Sequence, residues 1–151
     1  MLMFETPAEL ARHVGKSLGT SDWVLVDQAM IDAFAEATGD TNWYHVDVER
    51  SRREMPGGKT IAHGYLTLSL LPRMSHSIYQ IHHHSRGINY GANRIRFTAP
   101  VPAGSRIRAR ETLKEAQPAD GGMRFTFEVM VEIEGEKRPA MVAETIVLLF
   151  E

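Results

Sequence analysis

The chain has 151 residues, 43% hydrophobic and 24% charged, with a formal net charge of −2. That balance excludes a disordered chain and removes any overall electrostatic case for a nucleic-acid partner or a membrane surface. Cysteine is absent, which excludes disulfides, thiolate metal sites and a cysteine nucleophile, and no apolar run approaches the ~18 residues of a membrane span.

The first helix signal is Thr6-Pro7-Ala8-Glu9, a capping box with proline at the first helical position, and Gly15 is its expected stop. Residues 23–26 form a short apolar run that predicts a strand. Asp27 then caps a second helix, because Met30, Ile31, Phe34, Ala35 and Thr38 share one face, and Gly39 ends it. Residues 40–47 lack a period and read as a loop. Residues 48–54 predict a short charged helix with Asp47 as its cap, and residues 55–58 are a breaker. From Thr60 on, Ile61, Ala62, Tyr65, Leu66, Leu68, Leu70 and Leu71 cover most of a helix's circumference, which predicts a buried helix that Pro72 kinks or ends. Residues 75–86, with His82-His83-His84, read as a polar connection.

The second half predicts strands. Ile95, Phe97 and Ala99 alternate with polar residues, residues 100–104 form a turn, and Ile107, Ala109 and Leu113 alternate again. Asp120-Gly121-Gly122 is a hairpin signal. Met123, Phe125, Phe127, Val129, Val131 and Ile133 then hold six consecutive odd positions, the pattern of a half-buried strand. Residues 140–150 are apolar on both faces, which predicts a strand in the middle of its sheet. The chain therefore reads as one α+β domain over residues 1–151, an antiparallel sheet wrapped around one long helix. Its open sheet edges predict pairing into a dimer.

Two segments carry chemistry. In Gly39-Asp40-Thr41-Asn42-Trp43-Tyr44-His45-Val46-Asp47, a carboxylate and an imidazole five residues apart can hold one water between them. In Ile61-Ala62-His63-Gly64, a glycine near a helix start lets a ligand carbonyl approach a free N–H. Water activation beside an oxyanion site is what addition across an α,β-unsaturated carbonyl requires. Blander readings exist for each residue. Asp40 and Asn42 suit an Asx-turn. His45 suits a hydrogen-bonded loop histidine, and His63 suits core packing or a backbone bond. Gly64 suits close helix–sheet contact.

In ordered combination these segments resemble the MaoC-like, (R)-specific enoyl-CoA hydratases (hydratase 2), whose pattern runs Gly-Asp-x-Asn-Pro-x-His-x-Asp and then Ala-His-Gly. Residues 96–104 are similar to the family's Phe-x-x-Pro-Val-x-x-Gly strand and turn, and Ile88-Asn89-Tyr90-Gly91 points to its nodulation-protein-N-like branch. The resemblance implies a hot-dog fold, a homodimer, and syn addition of water to a trans-2-enoyl-CoA without metal or redox cofactor. It also implies that Asp40 and His45 activate the water, Asn42 orients the site and the Gly64 N–H meets the thioester oxygen. Trp43 stands where the family has proline, so packing must stiffen this loop in place of a fixed φ.

Trp43, Tyr44, His63 and Tyr65 are the candidate substrate-binding residues, with Lys59 and Arg94 as candidates for the CoA phosphates. The arginines at 94, 96, 106, 108 and 110 otherwise read as a solvated face paired with Glu128, Glu132 and Glu134, and the three histidines as a solvated loop. A thioesterase is the same-fold alternative. The order Asp-x-Asn-x-x-His before Ala-His-Gly favours hydration, and residues 59–71 contain no Asp or Glu. A non-catalytic acyl-CoA or acyl-carrier binder is the other alternative; it has no need of both Asp40 and His45. The N-terminus lacks the pattern of a signal peptide, so a cytoplasmic location is expected.

Overall fold

Local caps place the first elements in the computed structural model, which describes residues 1–151. After strand β1 (Leu2–Phe4), the Thr6 hydroxyl accepts from the Glu9 N–H at 3.3 Å and opens helix α1 (Pro7–Ala11). The Glu9 carboxylate takes the Glu5 N–H at 2.6 Å, one residue before the position a capping box prescribes. Helix α1 ends at Arg12, so Gly15 is not its stop. With φ at +81°, Gly15 instead turns the chain towards β2 (Ser17–Thr20). After β3 (Val24–Val26), Asp27 accepts from the Met30 N–H at 2.9 Å and starts α2 (Gln28–Thr38). Gly39 ends that helix in the left-handed conformation, φ +76°. The expected loop over 40–47 contains one helical turn, α3 (Trp43–Val46). Asp47 then caps α4 (Val48–Glu54) by accepting from the Arg50 N–H.

The central helix starts later than its apolar pattern suggests. Ala62 donates to the Val101 carbonyl and Ala103 donates to the Thr60 carbonyl, at 2.8 and 2.9 Å. The turn at 100–104 thus holds residues 60–62 extended, and α5 (Gly64–Ser69) begins only after His63. Pro72 ends the regular run as expected. A new helix, α6 (Leu71–Ile78), takes the proline in its first turn, where a missing donor costs nothing. The helix is not buried all round: Leu66, Thr67, Leu71, Met74 and Ile78 are, but Tyr65 is 67% exposed and Leu68 and Leu70 are half-buried. The expected polar connection over 75–86 instead holds the end of α6 and a strand, β4 (Tyr79–Ile81), which pairs in parallel with β1. The three histidines after it are exposed, and the fold brings Glu5 to 3.5 Å from His83.

Four long strands form the bulk of a six-stranded sheet: β5 (Arg86–Phe97), β6 (Ser105–Ala119), β7 (Gly122–Ile133) and β8 (Met141–Phe150). All its pairs are antiparallel, in the order β2-β6-β7-β8-β5, with β3 also beside β6. The hairpin falls where Asp120-Gly121 placed it, with Ala119 opposite Gly122. Phe125, Phe127, Val129, Val131 and Ile133 are buried on one face of β7, and β8 lies inside the sheet. Helix α6 packs on β6 and β2, and α5 on β8. Strand β5 begins well before the alternation at Ile95, is exposed along most of its length, and has no strand on its outer edge. Arg106 pairs with Glu134, and Arg108 and Arg110 with Glu132, at 2.5–2.8 Å. Glu128 faces Lys114 rather than an arginine. No helix is long and apolar enough to cross a membrane. This is the hot-dog fold, an α+β architecture.

Candidate active site

The site forms where the chain reverses after α2. Gly39 supplies the reversal, and Asp40 follows it with its side chain 44% exposed. The Asn42 amide donates to Asp40 Oδ1 at 2.6 Å and fixes that carboxylate. The single turn of α3 then carries His45 inward, where its side chain is 8% exposed. His45 Nδ1 lies 2.7 Å from the Ile61 carbonyl. A carbonyl only accepts, so Nδ1 bears the proton and Nε2 keeps its lone pair. That Nε2 lies 3.9 Å from Asp40 Oδ2. The gap is too long for a direct hydrogen bond and suits one water shared by two acceptors.

His63 reaches the same spot from the other segment. It is 3% exposed, its Nε2–H donates to the Asp40 carbonyl at 2.9 Å, and its Nδ1 is buried without a partner. Its ring stacks on His45, centroids 3.8 Å apart, and Phe34 packs on it at 5.0 Å. Both bland readings of His63, core packing and a backbone bond, therefore describe it correctly.

Gln28 belongs to the site without any sequence signal for it. Its amide donates to the His45 carbonyl at 2.8 Å, and its carbonyl oxygen accepts from the Thr60 hydroxyl. It thus clamps the two motif segments together. Nothing in spacing or composition marks a glutamine at a helix start for that task.

Burial pushes His45 below the ordinary 6.5. The Ile61 carbonyl opposes this, His63 adds to it and the Asp40 charge opposes it. Desolvation pushes Asp40 up but is outweighed by the Asn42 side-chain amide, the Asn42 N–H and the two histidines, so its carboxyl sits below 3.8. At neutral pH the pair is a neutral imidazole beside a carboxylate. Asp40, His45 and His63 bring donor atoms within 4.8 Å of one another. The imidazole lone pairs lie in ring planes only 24° apart and stacked, so they do not converge on one ion at ~2.0–2.1 Å.

Gly64 is the first residue of α5, so its N–H has no intrahelical acceptor. A Cβ there would lie 2.7 Å from the Phe97 ring, so the close-contact reading of this glycine also holds. Trp43 lies under the Arg50 guanidinium at 4.1 Å and has Tyr44 at its edge, 5.6 Å away; this packing stiffens the loop. Tyr44 also meets the His45 ring at 4.6 Å. Tyr65 stands outward beside Gly64, against Phe97. Lys59 is exposed in the turn before Thr60, and Arg94 lies opposite Glu144 on β8. The fold does not bring these two cations into the cluster. A cavity of about 990 Å³ lies between the central helices and the sheet; Leu68, one helical turn past Gly64, is among its lining residues, and Asp40, His45 and Gly64 are not.

Residues 9–135 match the family described as MaoC like domain, and the chain belongs to that family. It is 47% identical over 148 residues to the 3-hydroxyacyl-thioester dehydratase Z of Mycobacterium tuberculosis, covering 97% of each chain. It is also 47% identical over 144 residues to nodulation protein N of Rhizobium leguminosarum bv. viciae, covering 94% of this chain and 89% of that one. The fold matches that of an unliganded R-hydratase from Pseudomonas aeruginosa with a TM-score of 0.77 and 23% identity, over 95% of this chain and 84% of that one. The chain is thus a hydro-lyase of the nodulation-N-like branch that its motifs resemble.

Proposed function

We propose that this hydro-lyase adds water to a trans-2-enoyl-CoA to give an (R)-3-hydroxyacyl-CoA, and catalyses the reverse dehydration. The observation that carries this reading is the 3.9 Å gap between Asp40 Oδ2 and His45 Nε2, two acceptors facing one water-sized space. As the water oxygen bonds to C3, Nε2 takes one of its protons and Asp40 holds the other hydrogen. The electron pair of the C2–C3 double bond moves towards the thioester oxygen, where the Gly64 N–H meets the developing charge. His45 returns the proton to C2 on the face the water came from, which makes the addition syn. Asn42 keeps Asp40 aimed, while Trp43, Tyr44, His63 and Tyr65 flank the substrate. Lys59 and Arg94 are the cations we assign to the CoA phosphates.

The chemistry draws on water and side chains alone, with CoA as part of the substrate and no metal or other cofactor. We place it in the cytoplasm, in one domain spanning residues 1–151. The free edge of β5, with Ile88, Tyr90 and Phe97 exposed along it, supports a second copy of the chain as partner.

The test is crotonyl-CoA with purified protein, following enoyl-thioester absorbance and free thiol together. Hydration removes the absorbance without releasing thiol, and Asp40→Asn and His45→Ala each slow it by about 10²–10⁴-fold. Thiol release marks a thioesterase, and silence in both channels across chain lengths marks a binder.

A further inference from the structure

The proposed mechanism leaves one buried ionisable side chain unused. Glu111 on β6 is 3% exposed and lines the cavity beneath α5 and α6. Carboxylates at that depth are ordinarily paired with a cation. Glu111 forms no ion pair, and its one hydrogen bond is from the Ser75 hydroxyl to Oε1. That bond ties α6 to the sheet and accounts for one oxygen. Oε2 has no protein partner, yet it is not among the sealed, unsatisfied polar atoms of the molecule, so it opens onto the cavity. Tyr79 lines the same space with its ring stacked on Phe127 at 5.9 Å, and its hydroxyl also bonds to no protein group. Burial first and the Glu111 charge second push that phenol up. Leu68, Leu71 and Ile95 are among the apolar walls.

The position fits a substrate tail. Eleven residues separate Gly64 from Ser75 along nearly continuous helix, roughly 16 Å at ~1.5 Å per residue. Three bonds of an extended chain span about 3.5 Å, so about a dozen bonds lead from the thioester to Glu111. A plain alkyl end arriving there strips water from Oε2 and gives nothing back. A hydroxyl both donates and accepts, so it satisfies the carboxyl in either protonation state, whereas a second carboxylate is repelled by the ionised form.

We propose that Glu111, with Ser75 and Tyr79, forms a subsite for a hydroxyl on the distal part of the acyl chain, about a dozen bonds from the thioester. It therefore selects hydroxylated over plain long-chain acyl thioesters. This rests on the acyl-thioester reading above.

The test is calorimetric binding of ω-hydroxydodecanoyl-CoA and dodecanoyl-CoA to the wild type, Glu111→Leu and Glu111→Gln, each shown to be folded by its melting curve. The wild type binds the hydroxylated ligand tighter by about tenfold or more, as expected when one buried polar group is otherwise left unpaired. Glu111→Leu abolishes that preference, while Glu111→Gln keeps part of it. Equal binding by the wild type, or a preference unchanged in Glu111→Leu, overturns the proposal. Because binding is read directly, a wild type that shows the preference but hydrates no enoyl-CoA of any chain length retains the subsite and refutes the hydration reading. One that hydrates crotonyl-CoA without the preference refutes the subsite alone.

Discussion

Replacing Glu111 by glutamine removes a buried charge and keeps the acceptor that Ser75 needs. Burial lifts the Glu111 carboxyl from 4.5 to about 7, against the opposing Ser75 bond. The folded state therefore holds this proton more tightly than the unfolded chain does. Its contribution to stability is complete below pH 4.5, is lost as pH rises through about 7, and is constant above that. At about 1.4 kcal/mol per tenfold change in proton affinity, the full loss is about 3 kcal/mol. The Glu111→Gln variant has no proton to lose. Its advantage over the wild type thus grows from about 1 kcal/mol at about pH 5 to about 3 kcal/mol at about pH 8, the latter roughly 6–12 °C in melting temperature for a chain of this size. Urea denaturation of both proteins at the two pH values measures the difference, in which the titration of every other group cancels. A difference that stays flat from pH 5 to 8 refutes the reasoning, as does a variant less stable than the wild type at the higher pH.

Three further outcomes are expected. Asp40 and His45 both sit below their ordinary pKa values, so the acid limb of kcat/KM for hydration falls below 6.5; a midpoint at neutral pH or above contradicts the assigned base. Gly64→Ala forces its Cβ into the Phe97 ring and costs about 1–3 kcal/mol. Adding Phe97→Ala relieves the clash, so a double-mutant denaturation cycle is strongly non-additive, and additive costs refute the contact. Gln28→Leu leaves the His45 carbonyl and Thr60 hydroxyl unpaired at about 1–3 kcal/mol, and lowers kcat more than it raises KM. A variant with wild-type stability and turnover removes Gln28 from the site.

What could be read along the chain was what short-range chemistry decides. The caps at Thr6, Asp27 and Asp47, the stop at Gly39, the hairpin at Asp120-Gly121 and the alternation through β7 all depend on neighbours in sequence. The first half of strand β5 is not legible in the sequence because it carries two glycines and faces solvent on both sides, so nothing enforces a period of two. The apolar pattern runs ahead of the true helix start because Ile61 and Ala62 fit an apolar helical face. The turn forty residues on, around Val101, takes their segment into extended pairing. One helical turn, α3, is too short to show a period. Asp40, Asn42 and His45 were visible because they share one stretch. Gln28 was not, because its partners come from two others. Lys59 and Arg94 stand out in the sequence by charge alone, which marks a cation without giving its distance from the catalytic pair. Glu111 did leave a trace. It stands between Ala109 and Leu113 on the inward face of an alternating strand, a position where a carboxylate is out of pattern.

The two histidines are laced to each other's segments: His45 bonds the carbonyl just before Ala62-His63, and His63 bonds the carbonyl of Asp40. Drift in chain length is therefore unevenly tolerated across this region. Residues 55–59, which lie outside the lacing, can lengthen cheaply, since doubling a loop costs only about 0.6 kcal/mol. One residue inserted between Asp40 and His45, or between Ile61 and His63, turns an imidazole away from its carbonyl and breaks the stack. Descendants of this chain can vary in length across residues 55–59, while within each motif the count of residues is inherited unchanged.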